Sequence, residues 1–300
     1  MNLSAVDLNL LVALDALLTE RHVSRAAARV GLTQPAMSNA LARLRRVLGD
    51  PLFVRTPEGM RPTPRAEALA GPLGEALRTV RERVLRQDKF DPATAQRTFG
   101  IATQDYEQLV LLPAVTARLA REAPGIRLQV TTPSERLPVL DLSQGKIDIM
   151  IGVHQATPAG LMRQTLMTDE FLCVVADGPD APTKLTLKSY AAMDHLLISP
   201  YGGMTGYVDE ALAKAGLARQ VKLAVPDFAL APWLLLKTPY VLTMPERAAR
   251  QLAIHLPLRL LPPPVVVPAF TEYMFWHERT HTDPAHKWLR QVIKDAAEAV

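Results

Sequence analysis

The stretch "VSRAAARVGLTQPAMSNALARLRRVLG", Val23 to Gly49, decides how the chain folds around it. Ser24 is a suitable N-cap, and Arg25 to Val30 follow as one short helix. Ala26, Ala27 and Ala28 carry almost no side chain, so a neighbouring helix axis can approach closely. Gly31 stands where the chain must leave that helix, and glycine accepts the left-handed conformation such an exit needs. Thr33 then caps a second helix with Pro35 in its first turn, where the missing N–H costs little. The apolar residues Met37, Ala40, Leu41, Leu44, Val47 and Leu48 recur at spacings of three and four and make one buried stripe. Gln34, Ser38, Asn39, Arg43, Arg45 and Arg46 are left on the outer faces. "LNLLVALDALL", Leu8 to Leu18, supplies a preceding support helix.

The break therefore turns one helix across another, which is the helix-turn-helix pattern. Amides of Gln and Asn can read base edges, hydroxyls suit bases or phosphates, and arginines hold the backbone. Gln34, Pro35, Ser38 and Asn39 form the expected base-reading face, with Thr33 as cap and phosphate contact. Arg43, Arg55 and Arg61 are expected to hold phosphates, and Ser24 and Arg25 complete the DNA-binding set. A plain helical hairpin is the competing reading, but it does not call for the local charge. Residues 1–90 hold 14 Lys and Arg against 9 Asp and Glu, while the other 210 residues hold 20 against 21. Within 21–65 the count is 9 against 2, a local excess larger than the chain's whole net charge of +4, and all of it is arginine. Such a field points to a polyanion, here double-stranded DNA.

"LFVRT", "PEG" and "MRPT" within 50–69 read as strand, turn and strand, a two-stranded wing whose Arg55 and Arg61 flank the duplex. Residues 65–88 read as one long helix in which Ala66, Leu69, Leu73, Ala76, Leu77, Val80 and Val84 make a coiled-coil-like seam. Gly71-Pro72 predicts a kink or offset there. The seam implies dimerisation through Leu69, Leu73, Leu77, Val80 and Val84; packing on the chain's own body is the alternative.

These residues carry a family resemblance. The run from "LNLL" to "RPTPRA", with its TQPAxS core, LxxLxxxLG end and LFxRT wing, resembles the LysR-type transcriptional regulators. "DLNLL" at the start and "FWH" near residue 276 resemble the branch that includes the nodulation and naphthalene/salicylate regulators. The resemblance implies an α/β chain with a winged helix-turn-helix, a linker helix, and an effector domain like the periplasmic binding proteins. It also implies a homodimer or homotetramer, promoter binding, a small-molecule effector and contact with RNA polymerase.

Beyond the hinge "FDPATAQR" at 90–97, strand and helix patterns alternate, which predicts α/β with mostly parallel sheets in two subdomains. The expected division is 1–64, 65–89 and 90–300. One subdomain would take about 95–165 with 270–300, the other about 166–268. The chain would cross between them near 163–170 and back near 262–270. Ligands in such folds sit beyond the carboxyl ends of strands. Thr103-Gln104-Asp105 ends one strand at a helix start, and "SPYGGMTG", Ser199 to Gly206, ends another. Each is a candidate cradle for an anion or polar group, and together they place Thr103, Gln104, Asp105, Ser199, Gly203 and Thr205 at an effector site. By the resemblance Asp169 and Asp227 lie near that cleft. Carboxylates repel a carboxylate ligand, which favours a neutral or cationic effector; pairing with Arg163 or Lys222, or helix capping, is the bland alternative.

The 300 residues suffice for several domains with sizeable cores. No apolar run is long enough to span a membrane, and "MNLSAVDLNLLVAL" lacks the marks of a signal peptide. The single cysteine, Cys173, lies in the strand-like "EFLCVVA" and reads as core. Together these suit a reducing cytoplasm. His154, His195, His255, His277, His281 and His286 are scattered, so neither a metal nor a cofactor is expected. There is no P-loop, GxGxxG after a strand, or GxSxG, and the chain is not expected to be an enzyme. The alternative function is a periplasmic-type solute-binding protein or enzyme with a fused helical arm.

Overall fold

The computed structural model describes residues 6–56, 59–85 and 90–300. It divides into two compact units, Met1–Asp88 and Lys89–Val300.

In the first unit, α1 (Asn9–Glu20), α2 (Val23–Arg29) and α3 (Gln34–Leu48) enclose a core of Leu14, Leu17, Met37, Leu41 and Leu44. Ala26 and Ala27 are buried within it, while Ala28 is exposed. Small side chains thus seat α2 against its neighbours. Gly31 takes φ +68° at the turn, and the Thr33 hydroxyl accepts the Ala36 N–H at 3.4 Å. The cap of α2 differs from the expected one. Arg21 adopts φ 49°, His22 is extended, and the His22 Nδ1 accepts the Arg25 N–H at 3.5 Å. The helix therefore starts two residues early, and Ser24 lies inside its first turn.

The wing consists of β1 (Phe53–Thr56) and β2 (Gly59–Pro62), antiparallel with Phe53 opposite Pro62 and Thr56 opposite Gly59. Pro57 and Glu58 of the expected "PEG" turn lie outside the described residues. Asp50 fixes both ends of the ribbon: its Oδ1 accepts the Leu52 N–H and the Thr63 hydroxyl, each at 2.7 Å. That clamp holds Leu52 at φ 59°, a left-handed position that costs a branched residue energy. The linker helix α4 (Pro64–Thr79) runs through Pro72 without interruption. Pro72 and Ala68, whose carbonyl would have received the missing N–H, are both exposed, so water can serve that carbonyl. The departure from α-geometry comes later than expected, as a π-helical segment at Val80–Leu85. Residues 86–89, the end of the expected linker, lie outside the described residues.

The second unit holds two five-stranded sheets. The first contains β3 (Arg97–Ala102), β4 (Ile126–Thr131), β5 (Ile149–Gly152), β6 (Leu161–Asp169) and β12 (Phe270–His277), in the order β4-β3-β5-β12-β6. The second contains β7 (Phe171–Ala176), β8 (Asp194–Ile198), β9 (Gln220–Val225), β10 (Val241–Pro245) and β11 (Leu258–Leu261), in the order β11-β7-β10-β8-β9. The sheets are mixed rather than mostly parallel. β3 is parallel to β4 and β5, but β12 runs antiparallel to β5 and β6. β7 is likewise antiparallel to β10 and β11. The strands that carry the chain from one sheet to the other arrive against the local direction. The expected crossover at 163–170 is mostly strand: β6 continues to Asp169, and only Glu170 separates it from β7. One core spans both sheets, with Phe99, Ile101, Val174, Leu242 and Met274 among its buried members. Helices α5 (Asp105–Glu122) and α11 (Pro284–Ala299) pack against one another over the first sheet. Along the chain α6 (Val139–Gln144) lies between β4 and β5, α7 (Leu187–Ala192) between β7 and β8, and α10 (Glu246–Ala253) between β10 and β11. Cys173 is buried beside the Thr243 hydroxyl, as its apolar run implies, and burial pushes its thiol up.

Candidate functional site

Two regions carry polar groups in arrangements that the folds do not need. The first is the outward surface of α3 and the wing. Thr33, Gln34, Pro35, Ser38, Asn39 and Arg43 are all exposed, as are Ser24 and Arg25 of α2. Gln34 and Ser38 stack one helical turn apart, and Pro35, Asn39 and Arg43 form the adjacent row. The buried stripe of Met37, Leu41 and Leu44 faces away from the Pro35–Asn39–Arg43 row and is flanked by Gln34 and Ser38, and every residue of both rows is exposed, so the polar rows have no packing role. Arg25 and Arg29 meet Glu20 at 3.7 and 3.0 Å, and Arg43 meets Asp7 at 3.1 Å. These are exposed pairs of little intrinsic worth, and phosphate can displace them. Arg45 behaves differently from its neighbours. Its guanidinium donates to the Pro51 carbonyl at 2.7 Å and the Phe53 carbonyl at 3.2 Å, so it braces the wing. Arg55 pairs with Met60 and Arg61 with Val54. Adjacent cross-strand pairs face opposite ways, so the two exposed arginines leave the ribbon on opposite faces.

The seam of the linker helix divides in two. Leu73 is buried and Leu69 and Leu77 are half-buried, all packed on the core of their own unit. Val80, Val84 and Leu85 are 43%, 72% and 70% exposed. The apolar surface left uncovered thus lies at the end of the helix rather than along it.

The second region is a cavity of about 410 Å³ between the two sheets of the second unit. An unbroken chain of rings lines it. Tyr207 lies 6.1 Å from Phe171, Phe171 5.3 Å from Phe270, Phe270 5.7 Å from Tyr106, and Tyr106 5.7 Å from Phe228. Tyr201 also lines it, and its hydroxyl accepts from the Gln104 side-chain amide at 3.1 Å. That contact joins the start of α5 to the loop after β8.

Of the effector residues expected from sequence, Gln104, Ser199 and Thr205 line this cavity. Thr103 is buried behind it, with its hydroxyl donating to Glu107 Oε2 at 3.1 Å. Asp105 Oδ2 accepts the Ala229 N–H at 3.0 Å, and burial pushes its carboxyl above the usual carboxylate range. Gly203 borders a separate shallow hollow with Met204 and Pro226. The cradle expected at Ser199–Gly206 already satisfies itself. The Ser199 hydroxyl donates to the Gly202 carbonyl, and Asp209 takes the Gly206 N–H at the start of α8 (Tyr207–Lys214).

The acidic wall is there, but other residues make it. Asp169 is buried outside the lining, where it accepts the Tyr106 hydroxyl at 2.7 Å and the Arg247 N–H at 3.2 Å. Asp227 is exposed, and its carbonyl accepts the Ala231 N–H at 3.3 Å as a turn into α9 (Ala231–Leu235). Neither pairs with Arg163, which lies over Tyr273, or with Lys222, which meets Asp194. The buried carboxyls in the lining are Glu107 on α5 and Glu272 on β12, hydrogen-bonded to each other. Burial pushes Glu107 up to about 7. Burial and the neighbouring Glu107 push Glu272 well above its ordinary value, so a protonated Glu272 donates to Glu107. Glu272 Oε2 has no hydrogen-bond partner. Among the described residues no cluster of His, Cys, Asp or Glu has the arrangement of a metal site. No helix among them is long and apolar enough to cross a membrane.

Residues 8–67 match the family model described as bacterial regulatory helix-turn-helix protein, lysR family, and residues 92–298 match the LysR substrate binding domain. The chain belongs to the LysR family. It is a DNA-binding transcriptional regulator with an effector-binding domain, and these matches support that reading over the solute-binding or enzymatic alternative. The regulator is 37% identical over 296 residues to the HTH-type transcriptional activator NahR of Pseudomonas putida, covering 98% of this chain and 99% of that one. It is 36% identical over 299 residues to Nodulation protein D 1 of Bradyrhizobium elkanii, covering 99% and 95%. A solved probable transcriptional regulator from Pseudomonas aeruginosa superimposes with TM-score 0.62 at 36% identity, covering 97% and 98%. CbnR in complex with its target DNA shares the fold, with TM-score 0.55 at 16% identity, covering 97% and 100%.

Proposed function

We propose that the regulator recognises its promoters with α3, reading base edges through Gln34, Pro35, Ser38 and Asn39. Thr33, Ser24, Arg25, Arg43, Arg55 and Arg61 hold phosphates around them. The observation that carries this reading is the pair of exposed polar rows on α3, left free beside a fully committed apolar stripe. Self-association uses the uncovered apolar end of the linker, Val80, Val84 and Leu85. A dimer or a pair of dimers then spans half-sites about 34 Å apart, or a multiple of that. A small molecule enters the cavity between the two sheets and favours one arrangement of the assembly over another, which requires different affinities for the two. The output is a change in how RNA polymerase works at the bound promoter, in the cytoplasm. That NahR is named an activator supports activation as the direction of control.

The test is binding of the full chain to fragments of promoter DNA at several salt concentrations. Salt-independent binding, or binding indifferent to changes at Gln34 and Asn39, overturns the assignment.

A further inference from the structure

We propose that the cavity takes an organic ammonium ion with an aromatic body, its N–H donors received by Glu107 and Glu272. This rests on reading the cavity as the effector site and adds the chemical class of its occupant.

Three observations converge. Glu272 is buried, lines the cavity, and leaves Oε2 without a partner. A buried acceptor without a donor is costly, and a ligand donor removes that cost. The rings of Tyr106, Phe171, Phe228 and Phe270 surround the same space, and aromatic faces attract cations. Charge points the same way. Glu135 and Glu210 add to the acidic lining, and the one cation among the described lining residues, Arg219, is occupied. Its guanidinium holds Asp209 at 2.7 and 3.0 Å and faces His195 Nδ1 at 3.4 Å. A carboxylate ligand would meet uncompensated negative charge.

The groups facing the pair from the surrounding elements are Thr103 and Asp105 at the start of α5, Tyr106 on it, Asp169 at the end of β6, and Tyr201 in the loop after β8. Asp169 is already served by Tyr106 and Arg247. None of them supplies a cation to the pair. In the empty cavity Glu272 keeps its proton and shares it with Glu107. When an ammonium ion enters, the Glu272 O–H bond breaks, the proton passes to solvent, and the two carboxylates accept N–H donors from the ligand. Binding therefore releases about one proton per site.

Calorimetry on the full chain with 2-phenylethylamine, 2-phenylethanol and phenylacetate tests this, in two buffers of different ionisation enthalpy that are not primary amines. The expected result is that the amine binds at least about tenfold tighter than the alcohol or the acid. Its enthalpy should differ between buffers as proton release requires. Glu272→Gln and Glu107→Gln should each lose that preference and the buffer dependence. Infrared spectroscopy of the unaltered chain gives a second reading that needs no variant to fold: a protonated-carboxyl band present at neutral pH and lost when the amine is added. Equal or tighter binding of the alcohol means a neutral donor ligand and overturns the proposal. Tightest binding of phenylacetate, or no binding of the amine, overturns it too. The parent reading fails separately. A chain that binds promoter DNA and is displaced by other small molecules in the cavity, but not by the amine, defeats only the ammonium ion.

Discussion

The exposed face of α3 and the buried floor of the cavity both carry polar side chains, but different forces put them there. On α3 the polar residues are left over once a stripe has been buried. Their positions follow from a period of 3.6 residues and from nothing distant. In the cavity Glu107 comes from α5 and Glu272 from β12, the last strand of the domain. They meet because β12 inserts between β5 and β6. A surface that binds by charge can be built locally, while an enclosed polar site needs long-range pairing to hold unfavourable groups together.

The sharpest break of that comparison is a core change confined to the first unit. Leu44 is buried beneath α3. Leu44→Ala should cost that unit about 2–5 kcal/mol. Scanning calorimetry of the full chain should show one transition moving down and the other unmoved, and small-molecule binding should persist. Transitions that move together would mean that the two regions do not fold by separate rules.

Next in size is the reading face. Gln34→Ala should lose discrimination at particular base pairs by about 1–3 kcal/mol each. Arg55→Ala should weaken binding to every sequence and reduce the salt slope by about one. Competition binding against single-base variants of a promoter site separates these outcomes. Similar profiles for the two variants would remove the distinction between reading and holding.

The same locality explains what the sequence could reveal. The Gly31 turn, the Thr33 cap and the Met37–Leu41–Leu44 stripe are each set within a few residues, and all were legible. Ser24 was misplaced as a cap because the preceding Arg21 takes an unusual left-handed φ that no local preference announces. Arg45 looked like another outward cation because its partners, the Pro51 and Phe53 carbonyls, exist only once the wing folds back. In the cavity, Gln104, Ser199 and Thr205 could be found because strand ends open toward such clefts. Glu107 and Glu272 could not. Glu107 reads as an ordinary first-turn acid of a helix, and Glu272 as a polar position in a strand. The weak signal was the alternation in "FTEYMFWH", which sets Glu272 on the same side of β12 as the buried Met274 and Trp276.

A smaller effect tests the pair by pH. A carboxyl whose folded value lies above its unfolded one binds its proton more strongly in the folded state. Its contribution to stability is therefore present at low pH and lost as pH rises through the window from about 4.5 to about 7 for Glu107. His195 is held down to about 4 by burial and His286 is also lowered, so both work the other way, favouring the folded state as pH rises. The informative quantity is thus a difference between proteins. Relative to Glu272→Gln, the unaltered chain should lose on the order of 1–2 kcal/mol of effector-domain stability between pH 5 and pH 7.5. Urea unfolding at both pH values measures it, and a difference of zero would mean that the carboxyls do not share a proton.

The smallest expected effect marks the edge of the cavity. The family resemblance set Asp227 near the acidic wall, and it directly precedes Phe228, which lines the cavity. Its carboxyl is nonetheless exposed, and only its backbone carbonyl has a role, accepting the Ala231 N–H. Asp227→Asn keeps that carbonyl and removes one solvated charge. Stability should change by less than about 0.5 kcal/mol. Affinity for any cavity ligand should change less than about twofold, since a solvated charge is screened over a Debye length of about 8 Å. The variant is therefore the control for Glu272→Gln, with the same chemical change made outside the enclosure. If Asp227→Asn weakens an amine as much as Glu272→Gln does, the acidic wall acts through its long-range field, and burial is not what makes the carboxyl pair selective.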